Sequence, residues 1–172
     1  MEVDTAKKLA EDLVRCEYKG IVSLSGYGEP LLHPKIFNII AEFTKRGLRT
    51  RIFTNADLLY KNKVSCNILD RLKLEEIVVT TYDGEQQLKD YTKFMKQKFT
   101  NTPLRIRSKH VEEVVQEHVI TKFSNRAGIL YNAIQNDIFC YRPLTNIMID
   151  WDGSVLICCE DWVRTTTYGN IL

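Results

Sequence analysis

"GIVSLSGYGEPLLHPKIFNIIAEFTKRGLRTRIFTNADLL", residues 20–59, holds one strand–loop–helix–strand unit. The apolar run ending at Leu24 has the length of a buried strand, and the stripe Ile36, Ile39, Ile40 and Phe43 marks a helix from about Pro34 to Arg46 with Gly47 as its stop. The chain then reaches a second strand, "TRIFT". A helix between two strands calls for a crossover that leaves them parallel.

Between that first strand and helix lies a loop with two glycines, a carboxylate and two prolines. Gly26 and Gly28 lack a Cβ, so the backbone is free to take positive φ and to present N–H and C=O groups at close range. Glu29 adds a negative charge, and Pro30 and Pro34 stiffen the exit. Backbone acceptors beside a carboxylate suit an ammonium group. A phosphate loop is excluded, because no Gly-Lys-Ser/Thr follows.

Working outward, the unit repeats. Asp4 is the expected N-cap of a first helix whose Ala6, Leu9, Ala10, Leu13 and Cys16 share one face. Downstream, a helix around "VSCNILDRLKL" feeds the strand "EEIVVTT", and a helix with Leu88, Tyr91, Met95 and Phe99 in register precedes "PLRIRS". A fifth strand is expected at "HVITKFS". The pattern predicts an α/β fold with a parallel sheet over about the first 125 residues. Each strand ends in polar or glycine residues: Ser25 to Pro30, Thr54 to Asp57, Thr80 to Gly84, and Ser124 to Gly128. In a parallel sheet these tips gather on one edge, where α/β folds place ligands, although such loops are polar for turn geometry too.

The composition excludes other classes. At 172 residues, 44% apolar and 27% charged, the chain is of globular type. No window resembles a membrane span or a signal peptide, so a cytoplasmic location is expected. A net charge of +2 with dispersed Lys and Arg gives no reason to expect nucleic acid. Five cysteines in such a chain point to metal, catalysis or core and away from disulfides. Cys16 and Cys66, on apolar stripes, are expected in the core; His33 either faces the crevice or stabilises a turn.

The C-terminal stretch "TNIMIDWDGSVLICCED" reads as a hairpin with Asp152-Gly153 at its turn. A two-residue turn would put Ile147, Ile149, Leu156 and Cys158 on one face and Met148, Ile157 and Cys159 on the other. Two cysteines at hairpin ends are structural, a partial zinc site, or ligands of a larger centre.

The stretch "LSGYGEPLLHPKIFNIIAEFTKRGLRTRIFTNADLL" closely resembles the second and third strand regions of radical S-adenosylmethionine enzymes. The resemblance implies a partial (β/α) barrel over residues 1–128 and S-adenosylmethionine as cofactor. It implies a cofactor site at Gly26, Tyr27, Gly28, Glu29 and Pro30, whose motif contacts the methionine ammonium group, with Thr54 and Asn55 at the next strand end. Ala56 stands where the motif usually has glycine. Thr81 and Asp83, in "TTYDG", resemble the family's next loop. "CYRPLTNIMIDWDGSVLICCEDW", with Cys140 and Cys158 around Gly153, resembles the start of a SPASM or twitch domain over residues 129–172. This implies an auxiliary four-iron four-sulfur cluster with Cys140 and Cys158 as thiolate ligands; Cys159 is either a further ligand or a small buried residue.

The family's CxxxCxxC motif does not occur among the five cysteines. Two explanations compete: a fragment of a longer product in which Met1 is internal, or a reduced protein. Either way this chain alone is expected not to cleave the cofactor. The expectation is a fragment or reduced member of a radical S-adenosylmethionine enzyme that abstracts hydrogen from a peptide or small metabolite. The alternatives are a non-catalytic adenosyl- or metal-binding module, and an unrelated α/β enzyme with Glu29 or Asp83 as general base.

Overall fold

The structure, a computed structural model, describes residues 1–26, 28–108, 141–159, 161 and 163–172. The expected fifth strand, the 124–128 tip, Tyr27 and Cys140 lie outside these residues. The chain divides into two compact units, residues 6–115 and residues 1–5 with 116–172.

Helix α1 runs Val3–Arg15, so Asp4 lies inside its first turn and is not the N-cap; there its charge opposes the positive end of the helix dipole. Ala6, Leu9 and Ala10 are buried as expected. Cys16 is exposed, contrary to the core assignment, because the helix ends one residue earlier and Glu17, at φ 54°, turns the chain off the stripe.

Strands β1 (Val22–Leu24), β2 (Thr50–Thr54), β3 (Glu76–Thr81) and β4 (Leu104–Ser108) form one sheet in that order, each pair parallel. Leu24, Ile52, Ile77 and Leu104 lie in one register row across it. The connections are α2 (Ile36–Thr44), a one-turn α3 (Asp57–Tyr60) with α4 (Cys66–Arg71), and α5 (Gly84–Lys98). Helix α2 closes where the sequence predicts: Gly47 takes φ 75° and its N–H donates to the carbonyl of Thr44 at 3.0 Å. This α/β unit agrees with the sequence reading; four strands by themselves do not constitute a barrel.

Period-two alternation splits the sheet into two faces. Leu24, Ile52, Ile77, Val79, Leu104 and Ile106 join the hydrophobic cluster with Ile36, Ile40, Leu69, Tyr91, Met95 and Phe99 from the helices. Ile52, Ile77 and Val79 are fully buried, each stabilising the fold by about 1.5–3 kcal/mol through area removed from water. Cys66 is buried in this cluster, and burial pushes its thiol pKa up. The opposite face carries Ser23, Arg51, Phe53, Glu76, Val78, Thr80, Arg105 and Arg107.

The second unit contains a one-turn α6 (Arg142–Thr145) and strands β5 (Met148–Ile149), β6 (Ser154–Leu156) and β7 (Thr167–Asn170), an antiparallel sheet in that order. The hairpin exists, but its register differs from the two-residue expectation: Met148 pairs with Leu156 and Ile149 with Val155. The loop is therefore Trp151-Asp152-Gly153, closed by Asp150 N–H to Ser154 C=O at 2.9 Å, with Gly153 at φ 87°. A three-residue loop ending in a left-handed glycine is the next commonest hairpin closure, and the slip of one exchanges the faces. Met148 thus shares a side with Leu156, and Ile149 does not.

Candidate functional site

Glu29 organises the carboxyl edge of the parallel sheet. Pro30 opens a 3₁₀ turn, Pro30–Leu32, which Glu29 caps: its Oε1 accepts from the Leu31 N–H at 3.1 Å. The same oxygen accepts from the Thr54 hydroxyl at 2.7 Å, and Oε2 accepts from the Asn55 N–H at 2.8 Å. The carboxylate therefore fastens the loop after β1 to the end of β2. A carboxylate offers about four lone-pair sites, and the described residues fill three, leaving one on Oε2 among them. No Lys or Arg nitrogen lies within 4.0 Å of it among the described residues.

The end of β2 has the shape this fastening requires. Thr54 Oγ1 accepts from the Ala56 N–H at 2.9 Å and Asn55 Oδ1 from the Asp57 N–H at 3.0 Å, two consecutive side-chain turns. Ala56 is fully buried and takes φ 63°, a left-handed conformation that costs an L residue about 1–2 kcal/mol. This backbone explains why a glycine is usual there. Asp57 Oδ1 in turn accepts from the Tyr91 hydroxyl at 2.9 Å. Burial, reinforced by this carboxylate, raises the Tyr91 pKa to about 12.

Of the two loop glycines, only Gly26 has positive φ, at 154°. At both Gly26 and Gly28 an added Cβ would meet nothing within 4 Å among the described residues, so the loop backbone borders space those residues leave open. His33 settles its alternative as a turn residue: Nδ1 accepts from the Lys35 N–H at 3.1 Å.

Thr81 is buried at the end of β3, its hydroxyl donating to the Arg107 carbonyl at 3.4 Å. Asp83 serves its own turn, with Oδ2 accepting from the Gln87 amide at 3.0 Å, while Gln87 Oε1 accepts from the Tyr82 and Asp83 N–H groups. The structure thus joins Glu29, Thr54 and Asn55 directly through bonds, and it puts Thr81 and Asp83 at the same sheet edge without a bond to them.

Sequence reasoning missed the polar sheet face. Arg51 donates to the Ser23 hydroxyl at 2.7 Å and to Glu76 Oε1 at 3.2 Å, and Arg105 to that same oxygen at 2.7 Å. Arg107 Nε donates to the Thr80 hydroxyl at 3.0 Å. Phe53 lies on β2 two residues after Arg51, its ring centre 5.1 Å from the Arg51 and 5.7 Å from the Arg107 guanidinium carbon. The signal was the alternation in "TRIFT" and "LRIRS", where arginine occupies the positions off the core.

In the second unit Cys158 is half-buried and Cys159 exposed, and the Arg142 guanidinium lies 3.4 Å from the Cys159 sulfur. No group of three or more His, Cys, Asp or Glu poised to hold a metal exists among the described residues. Two described cysteines are fewer donors than a four-iron cluster takes. The Asp161 carboxylate is held by the Thr165 hydroxyl and Thr166 N–H through Oδ2, whereas its buried Oδ1 has no partner among the described residues.

The fold and site define a parallel α/β unit with a loop carboxylate locked onto the next strand end, followed by a small antiparallel sheet. No family model matches the chain. It is similar to the S-adenosyl-L-methionine-dependent 2-deoxy-scyllo-inosamine dehydrogenase of Niallia circulans, at 30% identity over 178 aligned residues covering 99% of this chain and 66% of that protein. A solved structure of BtrN in complex with AdoMet and 2-DOIA matches with TM-score 0.73 and 26% identity, over 99% of this chain and 65% of that one. BtrN in an open conformation matches in fold with TM-score 0.65 and 22% identity, over 99% of this chain and 63% of that one. The chain spans just under two thirds of the length of these relatives. No helix among the described residues is long and apolar enough to cross a membrane.

Proposed function

We propose that this chain forms the S-adenosylmethionine-binding part of a radical S-adenosylmethionine dehydrogenase. In this reading the sheet belongs to a partial barrel and the loop Ser25–Pro30 receives the methionine end of the cofactor. The observation that carries it is the Glu29 arrangement: a carboxylate that, among the described residues, has one acceptor site unfilled and no cation beside it, next to glycine backbone where an added Cβ would meet none of those residues. These residues fit an ammonium group, since a carboxylate and backbone carbonyls are what three N–H donors require.

Glu29 would accept a hydrogen bond from one ammonium N–H, and the Thr54 and Asn55 bonds would hold its oxygens in place. When bound, the cofactor supplies the hydrogen-abstracting chemistry of the family. The named activity of the relative supports a small polyhydroxylated metabolite as substrate in preference to a peptide, with an alcohol as the group oxidised. Cys140, Cys158 and Cys159 are proposed as an incomplete ligand set of an auxiliary cluster on the strength of the resemblance alone.

The test is calorimetric titration of the chain with S-adenosylmethionine and with its deaminated analogue, which keeps the sulfonium and the carboxylate and lacks only the ammonium group. Tighter binding of the former by about tenfold or more is expected, as for a charge-assisted hydrogen bond. Gly28→Leu, whose Cβ would meet nothing within 4 Å among the described residues, should abolish it with little change in Tm. Equal affinity for the two ligands, or none for S-adenosylmethionine, would overturn the reading.

A further inference from the structure

The face of the parallel sheet opposite the hydrophobic cluster carries three guanidinium groups and one carboxylate on its strands. Glu76 Oε1 is shared by Arg51 and Arg105. Arg107 has no carboxylate within 4.0 Å among the described residues. Register puts it opposite Thr80, one step closer to the carboxyl edge than Arg105, which faces Val78.

The Arg107 side chain is held by its near end. Nε donates to Thr80, whose side chain is buried in the sheet, and the guanidinium carbon stays 5.7 Å from the Phe53 ring centre. One of five N–H donors is used, which leaves the terminal nitrogens, the edge that matches two oxygens of a carboxylate or phosphate. An idle surface arginine keeps its rotamers free; this one is oriented at Nε while its recognition edge is unoccupied among the described residues. Preorganisation of that kind lowers the ordering cost of capturing an anion. The Arg51 and Arg105 charges, only partly neutralised by one Glu76, add an attractive field.

We propose that Arg107, held by Thr80 and Phe53, is an anion seat that binds a carboxylate or phosphate group of a small-molecule ligand on this sheet face. The proposal goes beyond the function proposed above and does not depend on it, because the first measurement uses no adenosyl ligand.

That measurement is titration of the 172-residue chain with inorganic phosphate, followed by calorimetry and phosphorus NMR line width. Binding is expected in the native sequence and should weaken by about tenfold or more in Arg107→Gln, the loss of a charged hydrogen-bonding pair. Thr80→Val, which keeps the shape of the buried side chain, should weaken it several-fold by releasing the guanidinium. Arg49→Gln, whose native partner is Glu75 before the start of β3, should leave it unchanged. The source of the anion follows from a second titration with S-adenosylmethionine and its decarboxylated analogue. Discrimination between the two that disappears in Arg107→Gln makes the cofactor's own carboxylate the occupant; phosphate binding undiminished by saturating S-adenosylmethionine makes it a separate ligand. Both support the seat. Absence of phosphate binding, or equal binding by Arg107→Gln and Arg49→Gln, overturns it, whether or not S-adenosylmethionine binds.

Discussion

Replacing Glu29 by Gln tests the central geometric claim, that one carboxylate holds the β1 loop against the end of β2. The native carboxylate accepts from the Leu31 N–H at 3.1 Å, the Thr54 hydroxyl at 2.7 Å and the Asn55 N–H at 2.8 Å. Glutamine keeps one accepting oxygen. Its NH₂ must then face either the Asn55 N–H or the Leu31 N–H, a donor against a donor. One charge-assisted bond is lost outright, and the half-buried position puts the cost at about 2 kcal/mol. For a chain of this size that lowers Tm by about 4–8 °C. Hydrogen exchange at the Leu31 and Asn55 amides reads the same event locally, and both should exchange faster, while Ile77, within the sheet, should change only as global stability does. Combining Glu29→Gln with Thr54→Val closes a double-mutant cycle, and groups in direct contact should show a coupling of at least about 0.5 kcal/mol. A coupling of zero, with unaltered exchange at Asn55, would refute the fastening and with it the positioning of the acceptor site.

Three further outcomes are expected within the same parallel-sheet unit. Ala56→Gly should stabilise the chain by about 0.5–1 kcal/mol in urea titrations, because φ 63° is strained for alanine and not for glycine. Tyr91 has its pKa raised from 10 to about 12, so the folded state holds its proton longer than the unfolded state does. Its contribution to stability is intact below pH 10 and is lost as pH rises toward 12, at up to about 1.4 kcal/mol per pH unit, and Tyr91→Phe should remove that part of the alkaline slope. Asp70 is the opposite case: burial opposes ionisation, but the N–H groups of Thr100, Asn101 and Thr102 prevail and keep its pKa below the usual 3.8. Its stabilisation is present above pH 3.8 and lost as pH falls through the lowered value, and Asp70→Asn should cost about 2–4 kcal/mol at neutral pH while flattening that acid limb.

The parallel sheet was legible because its signal is repeated. Strands β2, β3 and β4 fall within "TRIFT", "EEIVVTT" and "PLRIRS", and the stripe Ile36, Ile39, Ile40 and Phe43 is buried throughout. Hydrophobic period marks which residues leave water, and that survives any detail of loop geometry. The elements missed were short and turn-made. Helix α3 spans a single turn set up by the side chains of Thr54 and Asn55, and β7 is a run of exposed residues with no apolar alternation. The hairpin register failed for a related reason: Asp-Gly announces a turn but does not say whether two or three residues make it, and one residue of slip moves every side chain to the other face. Cys16 failed at a helix end, where the stripe continues in sequence after the helix has stopped.

Glu29 shows how a motif is legible in identity and not in task. A carboxylate between Gly28 and Pro30 reads as a ligand-binding charge, yet most of its bonding capacity is spent inside the protein. The spent bonds limit what the rest can do: the one acceptor site that the described residues leave vacant accommodates one N–H, so recognition of a cation must come from charge and loop carbonyls together. That charge is uncompensated within 4.0 Å among the described residues, and so is the positive charge of Arg107. Glu29 is bonded to the end of β2, and Arg107 lies two strands across on β4, a backbone separation of about 10 Å at the usual strand spacing. A ligand of one sign would satisfy one of these groups and leave the other in water; a ligand bearing an ammonium and an acid group satisfies both, with less dependence on salt than either interaction has alone.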